Sequence, residues 1–510
     1  MNLLATRQLP AMLFAVAAVA LTLMPTDAGA QSVVFEGATF TNKGLVGVAR
    51  VPSNAVDKLG DTLGGFGSGM ALVPNSWHRR GQGEYFGTLV MVPDRGWNTQ
   101  GTVDYVGRLQ RFNVTLHPFY GASANSQDQL RMDYMRATRL REMIPAKPTT
   151  GLDPTAVRPA RLGLPNLPIA TTGKISVDNE TVVYPGDGTM WISDEYGPYV
   201  YHYALGGVLL GVIRPPEAFI PKRLSNGVPV DDFSANSPSA GVVYNPPKGN
   251  PVSGRQNNQG FEGMAMNPDH TKLFVLLQSA LIQDTNHTSA ATIRTSRRNT
   301  RLLAYDVTTP SPTLIGEYVV QLPQYVLGAE NRTAAQSEML ALNDHQFLVL
   351  ARDSSAGFTA ASTTSLYRSV DLMDIADPVH PATNIAHTAY DTPTTPVAPN
   401  GVLDPSITPV AYQQFLNIND NAQLNRFGLH NGAPNDSNDL YEKWESLAVA
   451  PVFDSASPND YFLFVGSDND FITKDGHMVG QPYSDIDNVD TLVLVYRVTL
   501  PTYVKPKRGE

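Results

Sequence analysis

The chain has 510 residues and a formal net charge of −10, and only 16% of its residues are charged, against ~25% in an average protein. Such an acidic chain lacks the basic surface that nucleic-acid binding requires, so we expect no nucleic-acid partner. The absence of cysteine excludes disulfides and thiolate chemistry, while 41 glycines and 39 prolines indicate many turns. This length suits two or three ordinary domains or one large all-β array.

Residues 1–30 have the pattern of a secretory signal peptide. Arg7 supplies the basic start, Leu9–Met24 the apolar stretch, and Ala28-Gly29-Ala30 a small-residue cleavage site. A membrane anchor is the alternative, but the apolar run is shorter than the ~20 residues of a spanning helix and ends at Pro25. We therefore predict cleavage after Ala30, no stable membrane insertion, and a secreted or periplasmic protein.

We expect residues 31–510 to form a single domain. Val33–Val51 contains two short β-like runs, and its pairing with Thr491–Val498 would close a ring of sheets and remove an exposed edge. Within Gln127–Ile144 the apolar residues fall near helical spacing, which predicts an inserted helix. Long loops rich in proline, asparagine and serine separate the remaining strand-like runs.

One pattern recurs along the chain: an acid, a short apolar run, a polar turn, a second apolar run and a polar end. Its copies begin at Glu180, Glu262, Glu338 and Glu445, with Ser68 at the corresponding position of a weaker copy. The return runs end at Asp94-Arg95, Asp194-Glu195, Gln278, Arg352-Asp353 and Asp468-Asn469-Asp470. Two strands joined by a turn bring the chain back to the same end, so both polar positions should lie at one mouth.

Repeated hairpins of this kind are typical of radial repetition about an axis. The sequence therefore predicts an all-β protein, a β-propeller of six blades with seven as the alternative, carrying an inserted helix and long loops. The axis would then carry a ring of carboxylates at one mouth.

Crowded carboxylates repel one another unless they take up protons, pair with arginine or bind a cation. Hard oxygen ligands at a flexible site suit Ca²⁺ best, so we expect Ca²⁺ as the cofactor. The candidate metal ligands are Glu180, Glu262, Glu338, Glu445, Asp468 and Asp470. The candidate catalytic residues are Asp94, Arg95, Asp194, Glu195, Arg352 and Asp353. The alternative is a structural ring whose acids accept backbone N–H groups at the blade ends.

Several segments at these positions resemble the phytase-like family, which is described as having esterase-like activity of phytase. They are Asp94-Arg95-Gly96, Trp191 to Pro198, Phe261-Glu262-Gly263, Ser337-Glu338 with Arg352-Asp353, and Glu445-Ser446 with Asn469-Asp470-Phe471. The resemblance spans roughly Thr39 to Val498, and Ser193 to Pro198 is its most specific part. It implies a β-propeller, export and a hydrolase.

Together these patterns predict an exported, monomeric hydrolase whose substrate is a small-molecule ester or phosphoester. The divalent cation would polarise the ester or phosphoryl oxygen, and a carboxylate would act as base. Two alternatives remain open from the residues: a non-catalytic propeller that binds a partner or a carbohydrate, and a lactonase-like calcium enzyme.

Overall fold

A computed structural model describes residues 30–81 and 83–507, so the predicted signal peptide lies outside the described residues except for Ala30. Five antiparallel sheets form the blades of a β-propeller. The first strand of each blade lies next to the axis, and these first strands neighbour one another in order around it.

The blades follow the chain, each from its inner to its outer strand. Blade 1 is Gly69–Leu72, Glu84–Val92, Arg108–Leu116 and Leu130–Arg139, with the short His78–Arg80 paired to its second strand. Blade 2 is Asn179–Val183, Thr189–Asp194, Val200–Ala204 and Leu209–Ile213. Blade 3 is Phe261–Met266, Lys272–Leu277, Asn299–Asp306 and Thr313–Gln321. Blade 4 is Ala335–Ala341, Gln346–Arg352, Arg368–Asp374 and Ala411–Asn417. Blade 5 is Trp444–Pro451, Asp460–Ser467, Thr491–Thr499, Ala38–Val51 and Gln31–Phe35.

Blade 5 joins the two ends of the chain, as the sequence predicts. Ala38–Val51 runs antiparallel to Thr491–Thr499, with Thr41 opposite Thr499 and Val51 opposite Thr491. This pairing closes the ring, because the sheet that begins with Trp444–Pro451 is completed by the N-terminal strand. The ring consequently has no open end at which a further blade could add.

The core is distributed among the interfaces between blades. Five clusters of buried apolar side chains each fill the space between two successive blades. The strands between these clusters are covered on both faces, so Asp460–Ser467 is buried along its whole length. Outer strands such as Leu130–Arg139 instead alternate between covered and exposed positions.

The predicted number of blades was wrong: residues 30–81 and 83–507 form five blades, neither six nor seven. Each of the five repeats in the sequence is the inner hairpin of one blade. The terminal strands complete the fifth blade rather than forming a sixth. Strand-like runs outside the repeats, such as Arg108–Leu116, are outer strands of the same five blades.

The predicted helix over Gln127–Ile144 was also wrong, since Leu130–Arg139 is the outer strand of blade 1. Its pairing with Arg108–Leu116 contains a register shift, because Phe112 lies opposite Tyr134 whereas Arg111 lies opposite Arg136. A bulge inserts one extra residue and changes the two-residue period locally. Tyr134 and Ala137 therefore have a spacing of the helical kind although both lie in a strand.

The remaining elements are short. The helical segments are Ala290–Ser296 and Asn421–Leu424, and the 3₁₀ turns are Glu217–Phe219, Ile282–Asp284, Ala389–Asp391, Pro399–Gly401 and Asn425–Phe427. Four small hairpins pair Ala156–Arg158 with Leu167–Ile169, Lys222–Ser225 with Val228–Asp231, Gln324–Leu327 with Glu330–Thr333, and Gly476–Met478 with Gln481–Tyr483. Among the described residues, no helix has the length and apolar character needed to cross a membrane.

Candidate functional site

The repeated glutamates lie where the inner strands begin, at one opening of the central channel, which we call the acidic mouth. In blades 2 to 5 the pairing of the first two strands shifts register at this point, for example between Asn179 and Val182 and between Phe261 and Met264. A bulge re-aims the adjacent side chain, and such bulges are common beside functional sites. The local irregularity therefore places Glu180 and Glu262 near the axis.

The first group of carboxylates at the acidic mouth consists of Asp178, Glu180 and Glu195. One oxygen from each lies within 4.8 Å of the others, and all three residues are buried. Arg95 contacts this group: its guanidinium lies 3.2 Å from Asp178, and its backbone N–H donates to the same carboxylate at 3.0 Å. Arg95 thus bonds directly to this group, while the charges of Arg255 and Lys443 act on Glu195 and Asp178 respectively.

Glu262 adjoins this first group, and its charge acts on Glu180. Gln278, at the end of the return strand, donates to Glu262 Oε1, so the hairpin brings these two residues together as predicted. Glu262 Oε2 and Glu195 Oε1 are buried and have no hydrogen-bond partner among the described residues. A buried carboxylate oxygen without a donor is unfavourable, so both atoms are suited to receive a cation or a water proton.

The second group consists of Asp94, Asp468 and Asp470, and it surrounds Lys443. The Lys443 ammonium lies 2.9 Å from Asp468 and from Asp470, and 3.5 Å from Asp94. It also lies 3.4 Å from Glu445 Oε2. An internal cation therefore occupies the centre of this group, where the sequence predicts metal ligands.

Two further bonds complete the second group. Ser68, which replaces the acid of the weaker repeat, donates its hydroxyl to Asp468 at 3.0 Å. The Tyr441 hydroxyl donates to Asp470 at 2.6 Å. Arg352, the last residue of the second strand of blade 4, donates to Glu445. Glu445 therefore contacts two basic residues, Lys443 and Arg352. The serine that replaces the repeated acid thus acts as a hydrogen-bond donor within the second group.

Asp194 and Asp353 end return strands, but their carboxylates hold loops in place. Asp194 accepts the backbone N–H groups of Asp178, Tyr196 and Gly197 at 2.8–3.0 Å. Asp353 accepts the hydroxyl of Ser365 and the N–H of Leu366, both at 2.6 Å. For these two residues the geometry matches the structural alternative drawn from the sequence.

Glu338 lies deeper along the axis than the other glutamates. The Thr181 hydroxyl donates to its Oε1 at 2.6 Å, and the Met339 N–H donates to the same atom at 2.8 Å. Glu338 also lines the cavity that extends toward the opposite face. It therefore separates the acidic mouth from the rest of the channel.

Burial dominates the ionisation of the first group. It raises the pKa of Glu180 and of Glu262 well above the usual value, and the negative charges of neighbouring carboxylates raise both further. Burial and the charge of Asp178 raise the pKa of Glu195 to about 8. These shifts express the free energy of holding several negative charges together with little compensation.

Lys443 changes this balance in the second group. Burial raises the pKa of Asp468 to about 7, although the Lys443 charge opposes the rise. Burial also acts to raise the pKa of Asp470, but the Lys443 charge and the Tyr441 hydrogen bond hold it below the ordinary value. The pKa of Lys443 is raised well above its usual range, because the Asp468 and Asp470 charges outweigh the effect of burial.

Two residues of the acidic mouth were missed from the sequence, Asp178 and Lys443. Asp178 lies two positions before Glu180, and Lys443 lies two positions before Glu445. Both precede an inner strand, so their place beside a repeated glutamate was a usable signal. Their pairing with particular partners depends on loops from other blades, which the repeat does not describe.

The comparisons with known proteins place the chain in one sequence family. The sequence model of the phytase-like family, described as "Esterase-like activity of phytase", matches residues 63–471. An "Uncharacterized secreted protein" of Arthroderma benhamiae is 40% identical over 468 residues, covering 86% of this chain and 88% of that protein.

Among solved structures, the proposed oxidoreductase (glucose dehydrogenase) of Thermus thermophilus aligns over 91% of this chain and 90% of its own. Its sequence identity is 10% and its TM-score 0.26, too low to relate the two folds. The family match spans the four glutamate repeats and the weaker first copy. The chain belongs to the phytase-like family.

Proposed function

We propose that this protein is an exported hydrolase that cleaves phosphate or carboxylate esters at the acidic mouth with the assistance of a divalent cation. The observation that carries the proposal is the group of Asp178, Glu180 and Glu195, whose oxygens lie within 4.8 Å of one another in a buried site. The family match supports a hydrolase and does not favour a non-catalytic binding protein or a lactonase-like enzyme.

The donor set fits Ca²⁺. Ca²⁺ binds six to eight oxygens at about 2.3–2.6 Å, so two oxygens on opposite sides of the ion are about 5 Å apart. The separations within the first group fall inside that limit. The unpartnered oxygens of Glu195 and Glu262 add donors that the protein leaves unsatisfied. Excess negative charge, hard oxygen atoms and unfilled bonding capacity all favour a divalent cation.

A bound cation would polarise the ester or phosphoryl oxygen and favour attack by water. In the reaction, the water oxygen bonds to the carbonyl carbon or phosphorus, the alcohol leaves, and the water proton passes to the alcohol oxygen through a carboxylate. Glu262 is suited to hold that water, since its Oε2 can accept a proton. Arg95 and Arg352 lie at the mouth, each 11% exposed, and would orient an anionic substrate.

The second group would keep the opposite side of the mouth rigid. Lys443 neutralises part of its charge without an external ion, so we assign Asp468 and Asp470 a supporting role and the first group the metal. Glu338 and Glu445 remain candidate ligands, and Asp194 and Asp353 would position the loops around the site.

The test is hydrolysis of p-nitrophenyl phosphate and p-nitrophenyl acetate by purified protein, before and after chelation and with Ca²⁺ restored. We expect activity on at least one ester, its loss on chelation and its recovery with Ca²⁺. Glu180→Gln and Glu195→Gln should abolish the recovery. Glu317→Gln is the matched control, because Glu317 is a buried glutamate bonded to Arg301 in blade 3, away from the mouth. Activity that chelation leaves unchanged would overturn the role of the cation.

Export is proposed from residues 1–30 and from the relative named as secreted. N-terminal sequencing of protein recovered outside the producing cell should begin at or near Gln31. An intact Met1 on that material would contradict cleavage. Light scattering tests the proposed monomer, whose mass should be near that of one mature chain.

A further inference from the structure

The axial channel extends from Glu338 to the face opposite the acidic mouth, and no step of the proposed hydrolysis uses it. It encloses about 410 Å³, within the range of small-molecule sites. Each blade contributes apolar side chains from its inner strand, among them Leu72, Val183, Met266, Leu340 and Val449. A predominantly apolar wall of this kind favours hydrocarbon over a sugar or a phosphate.

Polar groups occur at the two ends of the axial channel. At the inner end Glu338 Oε1 accepts the Thr181 hydroxyl and the Met339 N–H, so this oxygen is already hydrogen-bonded within the protein. Met264 and Met339 lie beside Glu338 in the lining and give the inner end apolar surface for a chain terminus. A strand rises about 3.3 Å per residue, so the wall from Leu447 to Pro451, in the inner strand of blade 5, extends about 13 Å.

At the outer end, the C-terminal segment 500–507 crosses the opening. Val504 donates its N–H to the Leu342 carbonyl at 2.7 Å, and Lys507 donates its N–H to the Pro268 carbonyl at 2.8 Å. The segment thus leaves blade 5 and reaches the turns of blades 4 and 3. It carries Lys505 and Lys507 into the lining of the channel.

The basic side chains and the acidic side chain of the lining therefore lie at opposite ends of the channel. Lys505 and Lys507 stand at the opening, and Glu338 at the inner end is the acid of the lining. Lys507 also pairs with Asp269 at 2.8 Å, while 71% of its side chain remains exposed. A ligand that enters this channel thus meets two basic side chains at the surface and hydrocarbon beneath them.

We propose that the axial channel binds an amphipathic anion with a single unbranched hydrocarbon chain, such as a fatty acid. The chain lies along the axis against the inner strands, and the carboxylate remains at the opening beside Lys505 and Lys507. Flexible methionine side chains, including Met70, Met264 and Met339, adapt the wall to the chain. This inference is independent of the hydrolysis proposed at the other end.

The experiment measures fluorescence of a dansyl-labelled undecanoic acid with full-length mature protein, and its displacement by octanoic, decanoic, dodecanoic and tetradecanoic acids. We expect saturable binding and displacement. Affinity should rise about fourfold for each added methylene and stop rising once the channel is filled. Measurements with EDTA and with Glu195→Gln separate the result from the proposed metal site, and binding should be unchanged in both.

Two variants locate the site. Ala341→Trp adds an indole to a half-buried position in the wall and should weaken binding at least tenfold. Lys505→Glu with Lys507→Glu should weaken binding of dodecanoic acid tenfold while leaving the neutral dodecanol nearly unchanged. The control is Lys474→Glu, which alters another exposed lysine paired with an aspartate, Asp487, at 3.0 Å. Circular dichroism and melting temperature verify that each variant is folded.

Absence of saturable binding by the unaltered protein would overturn the proposal. Binding unaffected by folded Ala341→Trp would overturn it as well, because the ligand would then occupy another surface. Equal binding of dodecanoic acid and of dodecyltrimethylammonium would refute the assignment of the lysines. If Ala341→Trp does not fold, the lysine variant decides, since both of its positions are exposed.

Discussion

At the acidic mouth, Lys443 lies among Asp94, Asp468 and Asp470. By contrast, Asp178, Glu180 and Glu195 lie beside Arg95, which bonds to Asp178 and to neither glutamate. Both groups are buried and both begin or end inner hairpins. In the second group, the Lys443 ammonium compensates for much of the hydration that the carboxylates lose on burial. In the first group and the adjoining Glu262, burial and mutual repulsion raise the carboxyl pKa values, and one oxygen each of Glu195 and Glu262 has no donor among the described residues. Burial also raises the pKa of Asp94 and Asp468 in the second group, so the groups differ mainly in their contacts with a cation.

The comparison teaches that a cluster of acids does not identify a metal site by itself. Both groups receive a basic side chain from another part of the chain, but Lys443 contacts all three acids of the second group, whereas Arg95 bonds to one acid of the first. A third arrangement occurs at Asp371 in blade 4, a buried carboxylate that accepts two tyrosine hydroxyls. The carboxyl groups in these three environments are balanced by Lys443 in the second group, by the external cation that we propose for the first group, and by hydrogen bonds or a proton at Asp371.

Removing the internal cation should have the largest effect. Lys443→Met leaves the negative charges of the surrounding acids uncompensated. Removing one partner of a buried ion pair typically lowers the free energy of unfolding by about 3–5 kcal/mol. Urea unfolding monitored by circular dichroism should show that loss in the free energy of unfolding. A loss under about 1 kcal/mol, the value for an exposed pair, would show that Lys443 is not needed to balance the second group.

The buried carboxyl group of Asp371 should make the free energy of unfolding depend on pH. Burial raises the pKa of Asp371 to about 6, against an ordinary 3.8, despite the hydrogen bonds from Tyr367 and Tyr412. Between these two pKa values the folded state therefore retains a proton that the unfolded state has lost. The resulting stabilisation is fully present below pH 3.8 and is lost as the pH rises through about 6.

The size of this contribution is about 3 kcal/mol at most, from two pKa units at 1.36 kcal/mol each. Asp371→Asn cannot ionise, so its unfolding free energy relative to the unaltered protein should increase between pH 4 and pH 7 by up to about that amount. Equilibrium unfolding at a series of pH values measures it. Parallel pH profiles for the two proteins would contradict the assigned protonation.

The external cation should contribute less than the internal one. A ligand at 100 times its Kd adds about 2.7 kcal/mol to the free energy of unfolding. EDTA should therefore lower the melting temperature and Ca²⁺ should restore it. Glu180→Gln and Glu262→Gln should reduce the Ca²⁺ response, while Asp468→Asn should retain it because Lys443 occupies that group. Equal losses in all three variants would remove the distinction between the two groups.

We expect the smallest effect on the free energy of unfolding at an exposed lysine–aspartate ion pair whose separation is close to that of Lys443 and Asp468. Lys474 lies 3.0 Å from Asp487, and its side chain is 54% exposed. Lys474→Met should change the free energy of unfolding by less than about 1 kcal/mol, because solvent and salt screen the interaction. This variant serves as the control for Lys443→Met, and a comparable loss in both would show that the substitution itself, rather than burial, is responsible.

The sequence by itself determined the hairpin repeat, the propeller and the joining of the two chain ends. These features follow from apolar periodicity and turn residues, which act between neighbours in the chain. The return of Gln278 to Glu262 was predictable for the same reason. Five repeats are also visible in the sequence, but the predicted six blades exceed that number, and only the structure shows that the terminal strands complete the fifth blade.

Only the tertiary structure decided which acids share an environment. Asp194 and Asp353 follow the repeat as the other acids do, yet their carboxylates bond to backbone and hydroxyl groups of adjacent loops. Lys443 reaches Asp94 from a distant part of the chain because the ring brings blades 5 and 1 together. Charge interactions depend on separation in space and on burial, and neither is encoded in the local period of the sequence.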